Sequence, residues 1–138
     1  MMTKTIFNQL IGRRYKHSAE VLSLMHPEFK LWIENEKGEQ IIGEGLLQLL
    51  EEIRKTGSLN KASSRLNMSY RTAWGKIEKV EERLGWEIVS RRAGGEGVGG
   101  SELTGRGEDL MKKYNAMKKK ARDSIEKDFF EVFGDYLE

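Results

Sequence analysis

Apolar positions recur along the chain with two periods, and the switches between them outline the elements. Lys30-Leu31-Trp32-Ile33-Glu34 and Gln40-Ile41-Ile42-Gly43 flank Asn35-Glu36-Lys37-Gly38-Glu39, which predicts a β-hairpin with a glycine-containing turn. From about 45 to 56 the period becomes helical. Leu46, Leu49, Leu50 and Ile53 share one face, and Gly57 stands where a left-handed residue would end the helix. Ser58 then reads as an N-cap, and Leu59, Ala62 and Leu66, three and four apart, predict a short helix over 58–66 that stops at Asn67-Met68. Ser69 reads as a second N-cap, and Ala73, Ile77, Val80 and Leu84 keep the period until Gly85.

Two short helices joined by about three residues are the helix-turn-helix geometry, and the helix over 45–56 is the third of a tri-helical core. After Gly85 the residues 86–92 alternate as a strand does. The glycines at 94, 95, 97, 99 and 100 make a loop, and Ser101-Glu102-Leu103 is the return strand of a β-wing. Past Thr104, a good N-cap, apolar residues at 110, 114, 117, 121, 125, 129, 132 and 136 predict one long, nearly straight helix of ordinary period, about 3.7 residues per turn. Its stripe of Leu110, Tyr114, Met117, Ala121, Ile125, Phe129 and Val132 is too long for so small a core to cover, which makes it the candidate dimer interface. The plainer alternative is that the helix folds back over its own domain.

The expected fold is mainly α with small β. A winged helix-turn-helix with an N-terminal hairpin occupies 29–103, the dimerisation helix occupies 104–138, and the weakly patterned residues 1–28 are left unassigned. In that first stretch Ile6, Leu10 and the residues 21–25 suggest at most one or two short helices.

Charge sharpens the picture. The formal net charge is only +2, but residues 54–92 hold ten Lys or Arg against four Glu, a local +6, whereas residues 128–138 hold four acids and no base. The basic stretch is the helix-turn-helix itself. On its second helix, Tyr70, Arg71, Thr72, Lys76, Lys79 and Arg83 lie off the buried stripe, a face able to meet phosphates and base edges. Alternatively, Lys76, Lys79 and Arg83 pair with Glu78, Glu81 and Glu82 on a solvated helix surface.

At this point the chain resembles the N-terminal DNA-binding domain of the ModE-type molybdate-responsive regulators and, more distantly, the LysR winged helix. Ser69-Tyr70-Arg71-Thr72-Ala73-Trp74, the glycine-rich wing and Leu103-Thr104-x-x-Gly107 carry the resemblance, which covers roughly residues 30–125. It implies a transcription regulator that binds palindromic double-stranded DNA as a homodimer, with the helix from Ser69 in the major groove. The family pattern often has a basic residue among the wing glycines. Glu96 and Val98 stand there instead, so phosphate contact by the wing tip is not carried over. Nor is molybdate sensing, which in full-length members belongs to C-terminal β-barrel domains without a counterpart up to Glu138. Control is left to a separate effector-sensing partner, to expression level or to an unrecognised ligand.

Within this reading Ser58 and Ser69 present helix N-termini to phosphates. Arg71 reads a base edge or, nearly as well, a phosphate, and Tyr70 and Thr72 meet phosphate or a thymine methyl. Lys76 contacts the backbone, and Arg91 and Arg92 grip it at the base of the wing. Trp74 packs under the wing strand or lies beside the DNA, with packing favoured.

Other chemistry finds little support. There is no cysteine, and neither histidine, His17 or His26, has an acidic partner at metal-binding spacing. Glu81-Glu82 are helix neighbours that point apart. Gly95-Glu96-Gly97-Val98-Gly99-Gly100 matches a dinucleotide fingerprint letter for letter, but no βαβ unit follows. No metal, cofactor or enzymatic activity is expected. The lack of cysteine, of a signal-peptide run in 1–27 and of a membrane span points to a soluble cytoplasmic protein. The competing function is a winged-helix protein-interaction module whose basic face binds an acidic partner, without a steep salt dependence.

Overall fold

A computed structural model describes residues 25–91 and 100–137. The expectations for 1–24, including His17 and the apolar residues up to Leu24, for Arg92 and for the wing glycines from 94 to 99 lie outside the described residues. The chain divides into two compact units, one running Leu31–Ala116 and the other joining residues up to Lys30 with those from Met117 onward.

The first unit opens with a hairpin of β1 (Ile33–Glu34) and β2 (Gln40–Ile42), antiparallel, pairing Ile33 with Ile42 and Glu34 with Gln40 across a bulge. The turn is made by Asn35, whose Oδ1 accepts from the amides of Lys37 and Glu39 at 3.0 Å each, while Gly38 takes φ 77°. The Asn35 amide also donates to Glu39 Oε1 at 3.1 Å. This bond, with the attraction of Arg83 and Lys37, outweighs the effect of burial and holds the Glu39 carboxyl below its ordinary range.

Three helices follow. α1 (Glu44–Thr56) buries Leu46, Leu47, Leu49, Leu50 and Ile53, a wider stripe than the four positions expected. Full burial of such side chains contributes about 1.5–3 kcal/mol each. It ends at Gly57, whose φ of 67° is left-handed and whose amide donates to Ile53 O at 2.7 Å. α2 (Leu59–Arg65) starts where the Ser58 hydroxyl accepts from Lys61 N, and α3 (Tyr70–Leu84) starts where Ser69 accepts from Thr72 N. Asn67, at φ 55°, turns the chain between them, and Gly85, at φ 79°, ends α3. Ala73, Ile77 and Val80 of α3 close over α1 and over Leu59 and Ala62 of α2.

The wing strands are β3 (Val89–Arg91) and β4 (Ser101–Leu103), antiparallel in the register Val89 to Leu103, Ser90 to Glu102 and Arg91 to Ser101. β3 starts three residues later than the strand expected over 86–92. Before Val89 the amides are used differently, because the Glu81 carboxylate on α3 accepts from Ile88 N at 2.8 Å and Val89 N at 3.3 Å. β4 is tied to the α1–α2 turn by Ser101 N donating to Gly57 O at 2.9 Å.

α4 (Gly105–Phe133) begins at Thr104, whose hydroxyl accepts from Gly107 N at 3.0 Å and donates to Glu87 O at 2.7 Å. Its first turns belong to this unit: Met111 and Tyr114 are in the core, and Leu110 packs against it. Tyr114 is 3% exposed and its hydroxyl donates to Leu31 O at 2.9 Å, and burial pushes its phenol up from the ordinary range. The expectation that the whole stripe serves a second chain therefore needs correcting at its start. Tyr114 is taken up by the domain's own core and Leu110 packs partly against it, so the core extends past Leu103.

In the second unit α4 continues to Phe133 and passes into a 3₁₀ turn, Gly134–Leu137. The Arg122 guanidinium lies 5.1 Å from the Phe29 ring centroid and 3.7 Å from a Glu28 oxygen. Phe129, Phe133 and Tyr136 stack in a ladder with centroids 5.1 and 5.8 Å apart. Met117 is 49% exposed and Val132 69%, while Ala121, Ile125 and Phe129 are half-buried.

Candidate nucleic-acid interface

α3 buries Ala73, Ile77 and Val80, and the helical period turns Arg71, Gly75 and Lys79 to the opposite side, with Thr72 and Lys76 on one flank and Tyr70 and Trp74 on the other. Ser69, Tyr70, Arg71, Thr72, Lys76 and Lys79 are all exposed. No acidic residue stands in the first turn of either α2 or α3, and Glu78 is the first carboxylate on α3. The N-terminal half of α3 thus presents only neutral and positive groups, and it is also the end where the helix dipole favours anions.

The pairing of the basic side chains narrows the field further. Arg54 lies 3.6 Å from Glu108, Lys55 3.7 Å and Arg65 3.1 Å from Glu52. Arg83, expected on the open face, is turned to the hairpin instead: its Nη1 donates to Gln40 O at 2.6 Å and its Nε lies 3.4 Å from Glu39. Among the described bases of residues 54–91, Lys61, Arg71, Lys76 and Lys79 have neither an ion pair nor a ring contact, and they lie on the N-terminal turn of α2 and along α3. The alternative pairing of Lys76, Lys79 and Arg83 with the helix's own glutamates is not adopted; Glu81 is spent on the amides of Ile88 and Val89.

Arg91, the last residue of β3, is exposed and lies across α3, its Cζ 3.7 Å from the Trp74 ring centroid and 5.9 Å from that of Tyr70. Trp74 itself is partly buried against the core. It packs beside the wing strand with one face covered by a guanidinium.

Residues 45–108, just under half of the chain, match the bacterial regulatory helix-turn-helix proteins of the lysR family. The helix-turn-helix of α2 and α3 lies within the matched residues. Among curated relatives, the molybdenum transport protein ModE of Azotobacter vinelandii is 33% identical over 81 residues, covering 59% of this chain and 30% of the relative. The transcriptional regulator ModE of Haemophilus influenzae is 32% identical over 73 residues, covering 53% and 29%. The DNA-binding transcriptional dual regulator ModE of Escherichia coli is 29% identical over 89 residues, covering 64% and 32%. The chain thus spans about a third of the length of these relatives. The crystal structure of a CbnR DNA-binding domain with DNA superposes with a TM-score of 0.46 at 22% identity, over 56% of this chain and 84% of that one.

Within the matched residues the expected site residues separate into two groups. Tyr70, Arg71, Thr72 and Lys76 form one exposed run on α3, with Arg91 beside it. Ser58 and Ser69 use their hydroxyls as caps, and the Ser69 hydroxyl also donates to Thr72 Oγ1 at 2.9 Å. Lys61 was not singled out from the sequence; the signal available was its place three residues after the Ser58 cap.

Gly75 is the break in this surface. A Cβ added there would meet nothing within 4 Å, and the residue sits in mid-helix where glycine costs about 1 kcal/mol relative to alanine. Gly75→Ala should therefore raise the unfolding free energy by about 0.5–1 kcal/mol in urea titration. A loss of stability would show that the backbone at Gly75 is not that of an ordinary helix interior.

Proposed function

We propose that the chain is a sequence-specific DNA-binding transcription regulator that sets the N-terminal half of α3 into the major groove. The observation carrying this reading is the gathering of basic side chains without carboxylate partners on α2 and α3, while the other described bases of the helix-turn-helix are tied to acids or stacked on rings. Phosphates supply the counter-charge such a surface lacks. The names of the relatives, transcriptional regulators among them, support the same reading. Arg71 is the base reader, Tyr70, Thr72, Lys76 and Lys61 the positioning contacts, and Arg91 the contact at the wing.

The active species in this proposal is a homodimer on a palindromic site. The part of the α4 stripe beyond the domain's core, Met117, Ala121, Ile125, Phe129 and Val132, is the interface, and two α3 helices would enter successive major grooves about 34–36 Å apart. Among the described residues no helix is long and apolar enough to cross a membrane.

Selection of genomic fragments by the purified protein tests this reading, followed by sedimentation and salt titration on the best fragment. The expected result is an enriched palindrome, two chains per site, and a log–log salt slope reflecting several phosphate contacts. No enrichment, or binding indifferent to salt, would instead bring forward a protein partner for the basic face.

A further inference from the structure

Arg91 and Trp74 face each other across the seam between wing and α3, and their geometry specifies more than proximity. A Cζ 3.7 Å from an indole centroid is at stacking distance, and Trp is the ring on which a guanidinium is held best. A guanidinium laid face to face on a ring at such a distance keeps its five N–H donors, all in its own plane, free for other partners. Arg91 has no carboxylate partner among the described residues, and its strand is held from behind: Arg91 pairs with Ser101, whose amide donates to Gly57 O at 2.9 Å. Trp74 is anchored too, being partly buried against the core on the same helix that carries Arg71 three residues earlier.

We propose that Trp74 is a positioning residue for DNA binding, fixing the Arg91 guanidinium against α3 so that its in-plane donors meet a phosphate at the edge of the groove that α3 enters. This rests on the DNA-binding reading above. An exposed arginine otherwise loses side-chain rotamer freedom on making its contact; stacking on Trp74 bears that cost in the free protein. Tyr70, with its centroid 5.9 Å from Arg91 Cζ, borders the same platform from the first turn.

Two readouts test it. In the free protein, the Arg91 side-chain protons should show upfield ring-current shifts in NMR that vanish in Trp74→Leu. On the selected fragment, Trp74→Leu should bind about tenfold more weakly, with the salt slope lowered by about one, while Trp74→Phe recovers part of the loss. In an Arg91→Ala background, Trp74→Leu should add less than a twofold loss, because the tryptophan acts through the arginine. Arg91→Lys leaves Trp74 and the core untouched, keeps the charge and removes the planar face, so it should also bind several-fold more weakly. Unshifted Arg91 protons, independent multiplicative losses in the double variant, or full affinity in Arg91→Lys would each overturn the proposal. If the wild type binds no fragment at all, DNA reading and positioning role fall together, and the ring-current shift still tells whether the stack exists.

Discussion

Gly107→Ala should destabilise the winged domain by about 3 kcal/mol or more, the upper end for an overpacked site, and lower its melting temperature by about 10 °C or more. Gly107 is buried in the third position of α4, and a Cβ there would run into the carbonyl oxygen of Ile88 and come within 3.0 and 3.2 Å of its carbonyl carbon and Cα. The obstacle is backbone, and it has nowhere to retreat. The Ile88 side chain is fully buried, its amide is held by Glu81, and its carbonyl accepts from Thr104 N at 3.0 Å. Thr104 in turn caps α4 through the Gly107 amide, so moving the glycine also breaks the cap. Gly105→Ala is the matched control, two residues earlier in the same turn, where a Cβ meets nothing within 4 Å. Urea unfolding of both variants decides the matter: a Gly107→Ala protein within about 0.5 kcal/mol of wild type would show that the contact between helix and wing base is not as tight as described.

That glycine illustrates where sequence reading succeeds and where it stops. The Leu103-Thr104-x-x-Gly107 pattern was visible, but its reason lies in Ile88, brought there only by the turn after α3. Caps, by contrast, are local: Ser58 reaches Lys61, Ser69 reaches Thr72, and Gly57 and Gly85 adopt the left-handed φ their positions demanded, so both helix-turn-helix boundaries could be read within a residue or so. Arg83 was assigned to the open face because helical periodicity places it off the buried stripe. Its true partner, Gln40, is 43 residues away and belongs to a hairpin whose position no local pattern reveals. The α4 stripe shows the same limit in another form. Periodicity reports that Tyr114 and Met117 need covering but not by what, and Tyr114 bonds to Leu31, 83 residues back, while Met117 stays half exposed. Trp74 stands between these cases, since its packing beside the wing was foreseeable from the helix and the presence of Arg91 on its face was not.

Arg71→Ala should weaken binding to the selected site by roughly 10- to 100-fold and flatten discrimination at one base pair, an effect of about 1–3 kcal/mol for a lost bidentate contact. Arg71 is the second residue of α3, exposed, without an ion pair among the described residues, and on the side of the helix opposite Ala73, Ile77 and Val80. Recognition helices meet base edges with their N-terminal residues, and the first turn here contains no acid to repel the DNA or to occupy the guanidinium. The conservative exchange separates the two chemistries open to it. A lysine keeps the charge that a phosphate rewards but lacks the planar fork that matches guanine O6 and N7. If Arg71 reads a base, Arg71→Lys stays defective on the preferred site while retaining affinity for scrambled DNA, and the ratio between the two falls. If it only touches phosphate, Arg71→Ala lowers affinity for both sequences alike, cuts the salt slope by about one, and Arg71→Lys restores most of the loss. Binding isotherms for the three proteins on the preferred and scrambled duplexes at two salt concentrations resolve these patterns. Equal losses on both duplexes would move base reading from Arg71 to another residue of the same exposed run, with Thr72 and Lys76 the next to examine.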